Sequence, residues 1–205
     1  MRNRKEIRNA IGWTYQRQLA DPLGWYKEAL DFHKAAIAIH QHEGHFTRTF
    51  AFNAGLSLEL ALKAILAAQH VEIPATHKLV ELANLAKIEL EINHRDTLEI
   101  FAVLIEWAGR YPAPTAEQKW DDFHDRILES QTIRRTSGNQ CKVLADRTRF
   151  PNLENYNRLW RLCQQKFGEL VPDKNQLSAA VSETRLAHRM EPKSCPTSSA
   201  WIMTG

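Results

Sequence analysis

Cysteine, glycine and proline are all scarce in this 205-residue chain, at three, eight and eight residues. Cys141, Cys163 and Cys195 stand far apart with no C-x-x-C pair, which argues against a cysteine zinc site or a dithiol redox centre and leaves three free thiols. Glycine and proline cluster at Asp21-Pro22-Leu23-Gly24, Glu43-Gly44, Ile73-Pro74, Gly109 to Pro114, Ser137-Gly138, Phe150-Pro151 and Val171-Pro172, so the stretches between them are long enough for helices. A Gly-rich phosphate loop, a G-x-S-x-G nucleophile elbow and a nucleotidyltransferase signature are also missing, and no cofactor is expected. There is no run of 18 apolar residues, and the Arg-rich N-terminus lacks the apolar stretch of a secretory signal. The expectation is a cytoplasmic protein with no membrane association.

What is present belongs to an ordinary globular chain, with 43% hydrophobic and 25% charged residues. Its net charge of +3 conceals a division. Residues 1–20 carry a net +4, 21–125 a net −7, 126–166 a net +6, and 167–205 none. An acidic body is flanked by two basic segments.

Apolar spacing of three and four residues predicts an all-α fold, an up-and-down bundle of four to five principal helices. The first runs from Trp25 to about His40 through Ala29, Phe32, Ala36, Ile37 and Ile39. A second, from Thr47 to Gln69, is apolar nearly all round and reads as the central helix. Thr76 offers an N-cap to a third through Leu79, Leu82, Leu85 and Ala86, and a fourth spans Asp96 to Ala108 before Gly109. Ala116 to Glu129 reads as a polar helix and Gln131 to Phe150 as a basic irregular stretch. Leu153 to Leu170 reads as a helix with Tyr156, Leu159, Trp160, Cys163 and Phe167 on one side. The expected organisation is a basic helical segment over 1–21, the bundle over 22–170, and an extension over 171–205 with an exposed helix at 176–190 and a loose tail.

Three pieces of the middle third occur in an informative order: Leu58-Glu59-Leu60-Ala61-Leu62-Lys63-Ala64, then Ile73-Pro74-Ala75-Thr76-His77-Lys78-Leu79, then Trp107-Ala108-Gly109-Arg110-Tyr111-Pro112. This E-x-x-x-K-A pattern, T-H-x-L helix start and R-Y-P turn resemble the HEPN superfamily of small helical bundles. The resemblance implies a helical module that binds a nucleotide, RNA or partner protein. It further implies a homodimer and a separate nucleotidyltransferase or antitoxin partner. Nuclease members of the superfamily cleave RNA without metal through an Arg-x(4–6)-His motif at a dimer interface. Here no arginine stands five to seven residues before any of the nine histidines; lysine does so before His33, His40, His70, His94 and His124. A non-catalytic module is therefore the first expectation, and a divergent ribonuclease of a toxin–antitoxin or phage-defence system the second.

The quoted residues have physical readings of their own. Glu59 and Lys63, four apart, form either an exposed ion pair or a partly enclosed polar pocket. His77, placed in the first helical turn, either packs on the central helix or lines a pocket. Arg110 leads a stiff loop with Tyr111, and its guanidinium either anchors that loop to a carboxylate such as Glu59 or meets a ligand phosphate. Glu59, Lys63, His77, Arg110 and Tyr111 make up the candidate polar group.

The basic segment supplies a second candidate, Arg134, Arg135, Arg147 and Arg149, interleaved with aromatics that suit single-stranded nucleic acid. The competing expectation, placed ahead of it, is that these arginines pair with the acidic body. His33, His40, His42 and His45 form the densest histidine group, but without an H-E-x-x-H pair they read as surface histidines, and no metal site is assigned.

Overall fold

Side-chain caps set where the first helices begin. Asn3 caps α1 (Arg4–Ala10), Thr14 caps α2 (Tyr15–Leu19), Asp21 caps α3 (Pro22–Glu43) and Thr47 caps α4 (Arg48–Ala68). The chain continues through α5 (Leu79–Leu85), α6 (Ile92–Val103), a π-helical turn (Leu104–Ala108) and α7 (Glu117–Ser130). Strands β1 (Thr132–Ser137) and β2 (Gln140–Ala145) follow, and α8 (Leu153–Leu170), capped by Asn152, ends the series. The computed structural model describes residues 3–137 and 140–172. All these elements belong to one unit that ends at Val171. The helix expected at 176–190 and the tail beyond it lie outside the described residues.

Helix α4 is the centre of the bundle, with α3, α5, α6 and α8 packed around it. Of its 21 residues 14 are buried, among them Phe50, Leu58, Leu62, Ile65 and Leu66. It is also the one described helix long and apolar enough to cross a membrane, a length-and-composition test that a core helix also passes. Helix α8 lies antiparallel to α3. Tyr26 stacks on Phe167 with centroids 4.1 Å apart, and His33 stacks on Trp160 at 4.2 Å, so residues seven apart on each helix meet in opposite order.

A chain of hydrogen bonds crosses this seam. His33 Nδ1 lies 2.6 Å from the Tyr156 hydroxyl, which lies 2.8 Å from Ser57 Oγ, and Ser57 donates to Ala54 O at 2.7 Å. Each hydroxyl has one proton, so a single direction satisfies all three contacts: His33 Nδ1–H to Tyr156, Tyr156 to Ser57, Ser57 to the backbone. Burial pushes the His33 imidazole down to about 4, with the Lys34 charge adding to it, and holds the ring neutral. Burial also pushes the Cys163 thiol beside this seam up to about 12, so it packs as an inert thiol.

Four sequence expectations are corrected. The stretch Gln131 to Phe150 is not irregular, because β1 and β2 pair antiparallel in the register Ile133↔Leu144 and Arg135↔Lys142. Thr132, Ile133 and Thr136 of β1 and Val143 of β2 are β-branched residues that suit strands. The third helix begins at Leu79, and Thr76 forms a tight turn by accepting from Lys78 N at 3.1 Å. The fourth helix starts at Ile92 and changes to π geometry at Leu104, with Gly109 N donating to Leu104 O at 2.9 Å. Gly109 is required by space: a Cβ there would lie 2.6 Å from Leu104 O and 2.7 Å from Phe52 Cβ. The first helix is longer than its apolar spacing suggests, from Pro22 to Glu43, because Asp21 and Gly44 cap it at both ends.

Candidate functional site

Glu59 and Lys63 are buried side chains in α4, 3% and 8% exposed, one helical turn apart. Lys63 Nζ lies 2.7 Å from Glu59 Oε1. The second carboxylate oxygen, Oε2, lies 2.8 Å from His77 Nδ1. Of the two sequence readings, the enclosed pair is the one the fold adopts. Such a pair is stable only when the remaining lone pairs are satisfied, and His77 satisfies one of them.

His77 can do this because it precedes α5 instead of lying in its first turn. The Thr76 turn brings the ring back over α4. An ionised carboxylate only accepts, so Nδ1 carries the proton, and Nε2 makes no hydrogen bond among the described residues. The ring is more than half exposed and lines a cleft of about 580 Å³ between the α5 entrance and α6. Ala75, Val80, Ala102 and Val103 give this cleft an apolar lining, and Lys78, Glu81, Glu99, Glu106 and Arg126 its charges.

Arg110 and Tyr111 stand apart from this cluster. The Arg110 guanidinium donates to the carbonyl of Glu106 in the preceding π turn and lies 5.5 Å from the centre of the Tyr111 ring. The expected reach of Arg110 to Glu59 is thus replaced by a local contact that closes the π turn, and both residues are exposed. Glu59, Lys63 and His77 form one site; Arg110 and Tyr111 form a surface pair.

Acidic residues of α6 and the turn after it face cations of α7 and of the basic segment. Arg126 Nη1 lies 2.7 Å from Glu99, Lys119 Nζ 3.6 Å from Glu106, and Arg149 Nη1 3.4 Å from Asp96. Arg149 also donates to Glu129 O at 2.7 Å and to Thr132 O at 3.4 Å. Pairing within the chain, the expectation placed first for the basic segment, accounts for Arg149. Sequence reasoning did not place Arg126 or Glu99 in a site, and 27 residues separate them; only the opposite charges of 21–125 and 126–166 hinted at the contact.

Arg134 and Arg147 differ from Arg149. Both are exposed, and among the described residues neither makes an ion pair. Arg135 occupies a strand position opposite Lys142. The root of the ribbon is fixed at several points. Thr97 Oγ1 lies 3.0 Å from Arg149 O, and Asn155 Nδ2 donates to Arg147 O at 2.9 Å and to Phe150 O at 2.7 Å. Arg147 therefore leaves a pinned backbone, although its side chain is in solvent.

The histidine group is dispersed by use. His33 serves Tyr156, His40 packs at 5.3 Å from Phe50, His42 contacts Glu43 at 3.3 Å, and His45 Nδ1 meets Glu43 O at 2.6 Å. Among the described residues, no group of three or more His, Cys, Asp or Glu is placed to hold a metal ion.

Comparison with curated proteins and with solved structures gives no match. The family model described as HEPN domain matches residues 23–136, more than half of the chain, from the start of α3 into β1. The ordered motifs and the all-α bundle around α4 agree with that match, and the chain belongs to the HEPN domain family.

Proposed function

We propose that this chain is a non-catalytic RNA-binding HEPN module that holds single-stranded RNA along the basic ribbon and its root. One observation carries the proposal. Lys119, Arg126 and Arg149 are paired with carboxylates, whereas Arg134 on the ribbon and Arg147 at its pinned root are exposed without an acidic partner among the described residues. Cations with no partner to lose gain most from phosphate, because each releases a condensed counterion. Arg135 and Lys142 share the ribbon with exposed Val143 and Leu144, while the aromatics of the basic segment, Phe150, Tyr156 and Trp160, are buried in the core and not open to bases. Arg149 orders the root, and phosphate contact falls to its neighbours.

The test is fluorescence anisotropy of a labelled single-stranded RNA over a salt series. Binding with a steep salt dependence supports the proposal, and no binding at low salt refutes it.

A second reading is favoured by a separate observation. An imidazole that lines a cleft and has its Nδ1 fixed by a buried carboxylate is a suitable general base for a 2′-hydroxyl. RNA incubated with the protein in EDTA distinguishes the two: cleavage abolished by His77→Ala supports a metal-independent ribonuclease, and intact RNA supports the binding module.

A further inference from the structure

The N-terminal arm is folded without a core. Asn3 and Glu6 form a capping box at α1, and Gly12 at φ +71° ends it, with Trp13 N donating to Arg8 O at 2.8 Å and Gly12 N to Asn9 O at 3.0 Å. Thr14 then caps α2. Every local signal for helix is in place, yet no residue of α1 or α2 is buried. Isolated helices this short are marginal in water, and most helical stability in proteins comes from a covered apolar face. The apolar residues are present but uncovered: Ile7 and Ile11 share one side of α1, and with Trp13 and Tyr15 they are 47%, 66%, 59% and 73% exposed.

Beside the arm lies a pocket of about 470 Å³ lined by Tyr15, Leu19 and Trp25, with Asp21, Gly24 and Glu28 at its edge. A hydrogen bond of 3.0 Å from Trp25 Nε1 to Leu19 O ties the end of α2 to α3 in the pocket wall. Arm and pocket are complementary in charge as well as polarity: Arg4, Lys5 and Arg8 accompany the apolar residues of the arm, and Asp21 and Glu28 edge the pocket.

The geometry points to the N-terminal arm as a docking element for a second copy of this chain, with Ile11 and Trp13 of one copy entering the Tyr15–Leu19–Trp25 pocket of the other. Tyr15 belongs both to the base of the arm and to the pocket wall, so the two surfaces adjoin. One two-fold axis then makes both exchanges at once and closes the assembly as a dimer. Arg4 and Arg8 of each arm approach Asp21 and Glu28 of the other copy, which sets the direction of entry.

Light scattering on the full chain at about 50 micromolar tests this, since interfaces of modest size hold at such concentrations. The expected result is a dimer that Ile11→Ser/Trp13→Ser weakens about tenfold or more and that Glu28→Arg also weakens. None of these residues is buried, so both variants should keep the wild-type circular dichroism spectrum. An equimolar mixture of the two variants restores dimer in part, because one intact arm meets one intact pocket. A monomeric wild type overturns the proposal, as does a dimer that both variants leave unchanged. Pelleting of a monomeric wild type with anionic lipid vesicles, lost in Ile11→Ser/Trp13→Ser, would assign the arm to a membrane surface instead.

Discussion

His77 Nδ1 lies 2.8 Å from Oε2 of Glu59, so a loop residue with an exposed ring is tied to a carboxylate buried in the central helix. The two ends of that contact differ in energy. Glu59→Ala leaves Lys63 buried without a counter-charge and is expected to cost about 3 kcal/mol or more. His77→Ala exposes the carboxylate to water at the cleft and is expected to cost about 1 kcal/mol. Urea denaturation measures both. Equal losses would mean that Lys63 escapes to solvent when Glu59 is removed.

His33 makes stability depend on acidity. Its folded value of about 4 lies below the ordinary 6.5, so between those limits the unfolded chain binds more protons than the folded one. The contribution of His33 is complete above about pH 6.5 and is lost as pH falls toward 4. Melting temperature followed from pH 7 to 4 should fall more steeply for wild type than for His33→Phe, and the difference isolates this group from the carboxylates. Parallel curves would contradict the neutral His33–Tyr156–Ser57 chain.

Two glycines should respond oppositely to alanine. At Gly109 the new methyl meets Leu104 O and Phe52 at the π turn, and overpacking of this kind costs about 1–3 kcal/mol. At Gly168, exposed in α8, a Cβ meets nothing within 4 Å, and alanine should stabilise by about 0.5–1 kcal/mol through helix propensity. Thermal melts of the two variants give the comparison.

These residues also show what the sequence makes legible. Helix α4 was visible from its continuous apolar run, and α8 from Tyr156, Trp160 and Phe167, because burial imposes a helical period. The Glu59–Lys63 pair was visible because four-residue spacing fixes it locally. The ribbon was hidden, since Arg134 and Arg135 break the alternation that marks a half-buried strand. The π turn was hidden too, because its extra residue per turn hardly changes apolar spacing over five residues. Arg110 misled for a related reason: its place beside a proline-rich loop suggested a distant partner, whereas the π turn presents the Glu106 carbonyl at close range.

Arg149 separates structure from recognition. Arg149→Ala removes contacts to Asp96, Glu129 O and Thr132 O and should cost about 1–2 kcal/mol, while changing RNA affinity by less than about threefold. Denaturant midpoints and anisotropy titrations on the same preparation check both parts. A larger loss of affinity than of stability would place Arg149 on the RNA.

The most direct test of the RNA-binding account is the salt dependence of RNA affinity in wild type and in Arg134→Ala/Arg147→Ala. If both arginines meet phosphates, the double variant binds more weakly and its plot of log affinity against log salt is shallower by about 1.4, about 0.7 for each contact on single strands. Wild-type affinity and slope in the double variant, or no RNA binding by the wild type, would contradict the account.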